Sequence, residues 1–147
     1  FFARFITGRD VVDYAALLRL AGFELRPARP NAGSLGTVQL GYDSTGARVR
    51  SAVYTSDPLY TAGVERGDLL VSVDGVPITS PEAWQGAVAG KRAGDTVSLV
   101  FIRDAGETRH EVQVTLSQDA RLVVVPMDQL TSAQQAFRAA WLGSKAR

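Results

Sequence analysis

The chain carries one histidine, His110, and no cysteine, so any side-chain chemistry it performs must use that imidazole or do without one. His110 opens the run "HEVQV", which begins like the His-Glu-x-x-His helix of zinc peptidases. In that motif two histidines one helical turn apart face a metal and the glutamate acts as base. Val114 stands where the second histidine is required, and the alternating pattern reads as a strand. A Ser-His-Asp arrangement is open to the residue types present, but no G-x-S-x-G turn exists to present a nucleophile. The sequence therefore predicts no catalytic and no metal-ligating residue. It places His110 at a hairpin end, its ring satisfied or solvated.

The glycine-rich run "NAGSLGTVQLG" could be taken for a phosphate cradle. It lacks the Lys-Ser/Thr ending of a P-loop and the G-x-G-x-x-G spacing of a dinucleotide site. "RPARP" is too short a basic run, without interleaved aromatics, to mark nucleic acid. Sixteen Lys and Arg against fifteen Asp and Glu leave a net charge of +1, so no basic excess draws the chain to nucleic acid or to an anionic membrane. No apolar run reaches the roughly 20 residues of a membrane helix. With 147 residues, 46% of them hydrophobic, the chain can bury a sizeable core. The lack of cysteine fits a reducing cytosol and an oxidising periplasm alike, and the start, "FFARF", leads to the expectation of a fragment of a longer protein.

The elements follow from local signals. Asp13 can cap a helix from Tyr14 to Ala21 with Tyr14, Leu17, Leu18 and Ala21 as its apolar stripe, and Gly22 can end it before Phe23 folds back. Pro27, Pro30, Gly33 and Gly36 make Arg26 to Gly36 a linker or loop. "TVQLGYD" and "RVRSAVY" read as strands, and in the second Val49, Ser51 and Val53 alternate with Arg48, Arg50 and Ala52. Ser56 or Asp57 starts a short helix through Pro58, which Gly63 ends. In "VERGDLLVSVDG", Gly67-Asp68 turns the chain, Leu69, Val71 and Val73 share one face, and Asp74-Gly75 forms a hairpin. Ser80 caps a second helix, "PEAWQGAVAGK", with Glu82 near its positive end. "TVSLVFIR", a turn at Asp104 to Glu107 and "HEVQVTL" form a hairpin. "RLVVV" is a short strand, and Thr131 and Gln134 form a capping box for a last helix. On that helix Gln134, Phe137, Trp141 and Leu142 fall near one side, an apolar stripe that calls for a cover.

Ala62-Gly63-Val64, Gly67-Asp68-Leu69-Leu70, Val73-Asp74-Gly75, Gly94-Asp95 and Arg103 follow one another, between Ser34 and Gln118, in an order that resembles a PDZ domain of the bacterial, protease-associated type. The flanks, "FFARFITGRDVVDYAALLRLAGFEL" and "MDQLTSAQQAFRAAWLG", resemble the segments bracketing the PDZ domain in the glycyl aminopeptidase family of zinc metallopeptidases. The resemblance implies an α/β (α+β) fold, a PDZ-like, partly closed antiparallel barrel with two helices, plus flanking N- and C-terminal helices. Residues 1–30 would be a helical flank and linker from a preceding catalytic domain, 31–118 the PDZ-like domain, and 119–147 a C-terminal strand and helix. The flanks would pack on the PDZ-like unit or on the catalytic domain, which would hold the zinc; this chain would need no cofactor.

The resemblance also implies a site. Ser34-Leu35-Gly36-Thr37 resembles the x-Φ-G-Φ loop whose N–H groups receive a peptide's terminal carboxylate, with Thr37 more polar than the pattern. The partner would be an extended peptide or protein C-terminus, adding a strand beside Thr37, Val38, Gln39 and Leu40. Ala83 and Ala87 would face the groove, leaving an apolar pocket shared with Leu35 and Val38, while Trp84 turns to the core. Arg29 would neutralise the carboxylate, directly or through water, or stand solvated. The alternative is a structural spacer or dimer contact with a blocked or shallow groove.

Overall fold

The computed structural model describes residues 12–103 and 108–143, with side chains as far as Trp141. The start of the chain, the turn expected at 104–107 and the side chain of Leu142 lie outside the described residues. The chain divides into two compact units, one of Phe1–Ala28 with Arg121–Arg147, the other Arg29–Ala120.

In the first unit, α1 (Tyr14–Leu20) is capped by the Asp13 carboxylate, which accepts from Ala16 N at 2.9 Å. Gly22, at φ 74°, turns the chain out of it. Residues Phe23–Pro27 form β1, paired antiparallel with β10 (Leu122–Pro126). Pro27 would interrupt a helix but does not prevent an edge strand, so the loop expected from Arg26 onward begins instead as sheet. The capping box forms: Thr131 N donates to Gln134 Oε1 at 2.9 Å and Gln134 N to Thr131 Oγ1 at 3.3 Å, starting α4 (Ser132–Gly143). Arg138 donates to the carbonyls of Ala21 and Gly22, and its guanidinium lies 4.2 Å from the Phe23 ring centre.

The second unit begins with β2 (Gly33–Ser34), paired with β9 (Ser117–Gln118). Its main sheet is antiparallel and runs β3 (Leu40–Asp43), β4 (Gly46–Val49), β5 (Leu69–Val73), β7 (Thr96–Arg103), β8 (Thr108–Thr115), with β6 (Val76–Pro77) beside β5. Two helices complete it, α2 (Pro58–Thr61) and α3 (Pro81–Val88). The result is the mixed α/β, PDZ-like architecture expected, its antiparallel main sheet not closing into a full barrel. The hairpin at Asp74-Gly75 has left-handed backbone at both residues, φ 48° and 78°, which is why that dipeptide signals it.

The core of this unit is built on Leu59, Leu70, Val73, Ile78, Leu99 and Phe101. The strand through "LLVSV" departs from simple alternation: Leu70 pairs with Phe101 but Ser72 with Val100, so Val71 is an extra residue. This bulge resets the pleat. Leu70 and Val73 are fully buried, while Leu69 and Val71 are only half-buried, correcting the single face predicted for Leu69, Val71 and Val73. Likewise "RVRSAVY" leaves the sheet after Val49, although alternation carries it on to Tyr54.

The bulge makes a discriminating prediction for urea unfolding. Leu70→Ala is expected to cost about 2–5 kcal/mol as a fully buried truncation, and Leu69→Ala about 1 kcal/mol or less.

Candidate functional site

The early end of β4 shapes the region around "SLGTVQL". Regular strand begins only at Leu40, so the strand expected from Thr37 is shorter than predicted. With no β4 backbone opposite Thr37 to pair with, side chains substitute: Thr37 N donates to Asp57 Oδ2 at 2.8 Å, and Gln39 N to Ser51 Oγ at 3.1 Å. Arg50 N still donates to Gln39 O at 2.8 Å, and Leu40 lies opposite Val49. In that register Gly41 spends its backbone groups on β4, while Leu40 and Tyr42 direct theirs away from it. Among the described residues no strand pairs with that outer edge of β3. Val38, Leu40 and Tyr42 turn partly buried side chains against the core, whereas Thr37 and Gln39 are exposed.

The α3 wall forms from its own signals. Ser80 Oγ accepts from Ala83 N at 3.2 Å as the cap. Glu82 is held below the usual carboxylate range, chiefly by a bond from its own N–H and then by Ser80. Ala83 and Ala87 are both half-buried, and Ala87 packs against the core together with Trp84 and Val88. Trp84 is therefore on the core side as expected, though only half-buried. The Tyr42 phenol is raised above its ordinary range by burial and, secondarily, by the charge of Glu82, so a β3 side chain and the first turn of α3 share one electrostatic neighbourhood.

Other predicted site residues are placed differently. Leu35 is 2% exposed and belongs to the core, because its carbonyl accepts from Leu59 N at 3.2 Å and seats it under α2; it offers no side chain to an open pocket. Gly36 has φ 111°, and a Cβ there would meet the Asp57 side chain at 2.5 Å. Arg29 does not face the loop: its Nη2 lies 2.9 Å and its Nε 3.0 Å from Oδ2 of Asp119, which is 5% exposed. A buried carboxylate holds a guanidinium strongly, so Arg29 closes the base of this unit. His110 pairs with Phe101 in the hairpin and stacks on its ring at 4.7 Å, with Nε2 buried and without a protein partner among the described residues. The expected satisfied or solvated ring is thus replaced by an aromatic stack.

The sequence reading missed Asp57, Ser51 and Tyr42. The signal for Asp57 was present in "SDPLY", but the helix-starting role accounted for it, and its side chain makes no cap bond to α2. Among the described residues no cluster of three or more His, Cys, Asp or Glu could hold a metal.

Two ion pairs tie turns of this unit to its other elements. Asp68, 3% exposed, receives Arg103 Nε at 3.0 Å and Nη2 at 2.8 Å, and also Glu65 N at 2.8 Å. Arg103 donates further to the Gly63 carbonyl at the end of α2. Beyond α3, Lys91 Nζ reaches Asp74 Oδ2 at 2.7 Å, and Ser98 N donates to Asp74 Oδ1 at 2.7 Å.

This unit thus carries an unpaired outer edge on β3, with a glycine loop at its start. Residues 22–116 match the PDZ domain family model, and the chain belongs to that family. A serine protease, PepD of Mycobacterium tuberculosis, is 35% identical over 101 residues, 68% of this chain and 21% of that protein. The chain thus spans about a fifth of the length of that curated relative. An aminopeptidase N family protein from Idiomarina loihiensis is similar in fold, with TM-score 0.67 and 17% identity over 87% of this chain and 24% of that one. The structure of an HtrA-type protease with a decapeptide has TM-score 0.51 and 20% identity over 68% of this chain and 31% of that one.

The Asp74 pair carries a pH signature. Lys91's hydrogen bond, then that from Ser98, holds the Asp74 carboxyl below its ordinary value. A lowered carboxyl stabilises the fold above its unfolded value of about 3.9, and the contribution is lost as pH falls through the lower folded value. Asp74→Asn is therefore expected to lower the urea midpoint at pH 7 and leave it nearly unchanged at pH 2. The effect should be about 1 kcal/mol or less, since the side chain is 39% exposed.

Proposed function

We propose that this PDZ domain binds an extended peptide by β-augmentation along the outer edge of β3, opposite α3. The single observation that carries the reading is that edge: Leu40 and Tyr42 aim main-chain groups away from β4, and no described strand takes them. Val38, Leu40, Ala83 and Ala87 form the apolar lining, and the ligand strand starts further along than Thr37. The exposed Thr37 and Gln39 frame its entrance without supplying side-chain pockets. Register comes from the peptide's backbone, and selectivity comes from alternate side chains entering between β3 and α3.

We infer further that the module serves a peptidase to which it is joined, positioning peptide segments or chain ends for it. The fold similarity to the aminopeptidase N family protein covers more of the chain than the Arg29–Ala120 unit alone can supply, which favours a zinc aminopeptidase of the glycyl type as the parent. Zinc bound by the full-length protein, with activity lost to a chelator, would fit that parent; a serine-directed inhibitor abolishing activity without zinc would fit the serine protease relative.

The groove reading is tested by NMR titration of the chain with extended apolar decapeptides. Amide shifts are expected to concentrate at Val38–Tyr42 and Ala83–Ala87. Methylating one inward-facing peptide amide should weaken binding by roughly 2–10-fold, the worth of one backbone hydrogen bond. Shifts absent from both segments would leave the structural, spacer reading in place.

A further inference from the structure

The loop at Gly36-Thr37 already contains a carboxylate. Asp57 Oδ2 accepts Thr37 N–H at 2.8 Å, and the Asp57 side chain fills the space a Cβ on Gly36 would take. The Gly36 N–H is also spent, on Ser34 Oγ at 3.1 Å. Two adjacent amides that could clasp a peptide's terminal carboxylate are therefore satisfied from within the chain. The Arg29 guanidinium is held by Asp119. A free C-terminus arriving here would find two spent donors and a negative charge at the place where it needs a positive one.

The geometry points to Asp57 as a specificity-determining residue that turns the groove away from free C-termini and toward internal extended segments. This rests on the β-augmentation reading and narrows its ligand class. A chain passing through the groove keeps every main-chain bond to β3 and brings no terminal charge to the loop. A chain ending in the groove brings its carboxylate against that of Asp57, an uncompensated like-charge approach. The short helix α2 fixes Asp57 in position, because Pro58 and Leu59 directly after it are buried.

The test uses the 147-residue chain and decapeptides with apolar last residues, each made as free acid and as C-terminal amide, with affinities read by fluorescence polarisation. Wild type is expected to favour the amides by about tenfold, and the ratio should shrink when salt is raised from 50 to 500 mM, as a charge effect must. Asp57→Asn keeps an acceptor for Thr37 N–H and removes the charge. It should raise affinity for the acids by about tenfold and leave that for the amides unchanged. Should Asp57→Asn fold poorly by thermal unfolding, Asp57→Ser retains a helix-starting residue at α2 and carries the same expectation. Free acids preferred by wild type, or equal acid and amide affinities in wild type and variant, would overturn the role of Asp57 while leaving the groove intact. Absence of binding by wild type and both variants would overturn the β-augmentation reading, and this inference with it.

Discussion

The arrangement of α2 and the Gly36-Thr37 loop depends on one buried carboxylate. Asp68 is removed from water, so it is tolerable only if its charge is met by a donor set in fixed geometry. Arg103, at the end of the neighbouring strand β7, supplies that set and also binds the Gly63 carbonyl, while the Glu65 amide closes on the same carboxylate. The turn after α2 is thereby tied to the centre of the sheet. With one end of a four-residue helix fixed and Pro58 and Leu59 buried at the other, Asp57 has little freedom. The loop it touches inherits that rigidity.

Much of this was legible in the residues because it is local. Asp13, Ser80 and the Thr131–Gln134 pair sit beside the helices they start, and each bond they make spans three residues. Asp74-Gly75 specifies its turn through backbone angles alone. The family pattern extended the reading to Asp68 and Arg103, which proved to be partners across 35 positions.

What escaped was set by distant partners. The bulge at Val71 exists because β5 must meet β7 in two registers, and no period within five residues announces it. The end of β4 at Val49 hands the backbone of Thr37 and Gln39 to Asp57 and Ser51, residues whose local patterns read only as a helix start and a strand position. Arg29 looked free because Asp119, its partner, lies 90 positions away. Composition and spacing rank such side chains as surface; only the closed fold shows how they are spent.

The pairing of β1 with β10 has a consequence for the order of events during synthesis. Phe23–Pro27 leaves the ribosome well before Leu122–Pro126, and until that second strand appears β1 is an unpaired edge. Between them lies the whole Arg29–Ala120 unit, whose ends are drawn together by the β2–β9 pair and the Arg29–Asp119 bridge. Once that unit has folded, the loop closure required for β1 and β10 to meet is largely complete, and its entropic cost falls accordingly. The small unit is thus a late folder by construction, and a ribosome-bound chain passes through an interval in which the second unit can form before the first.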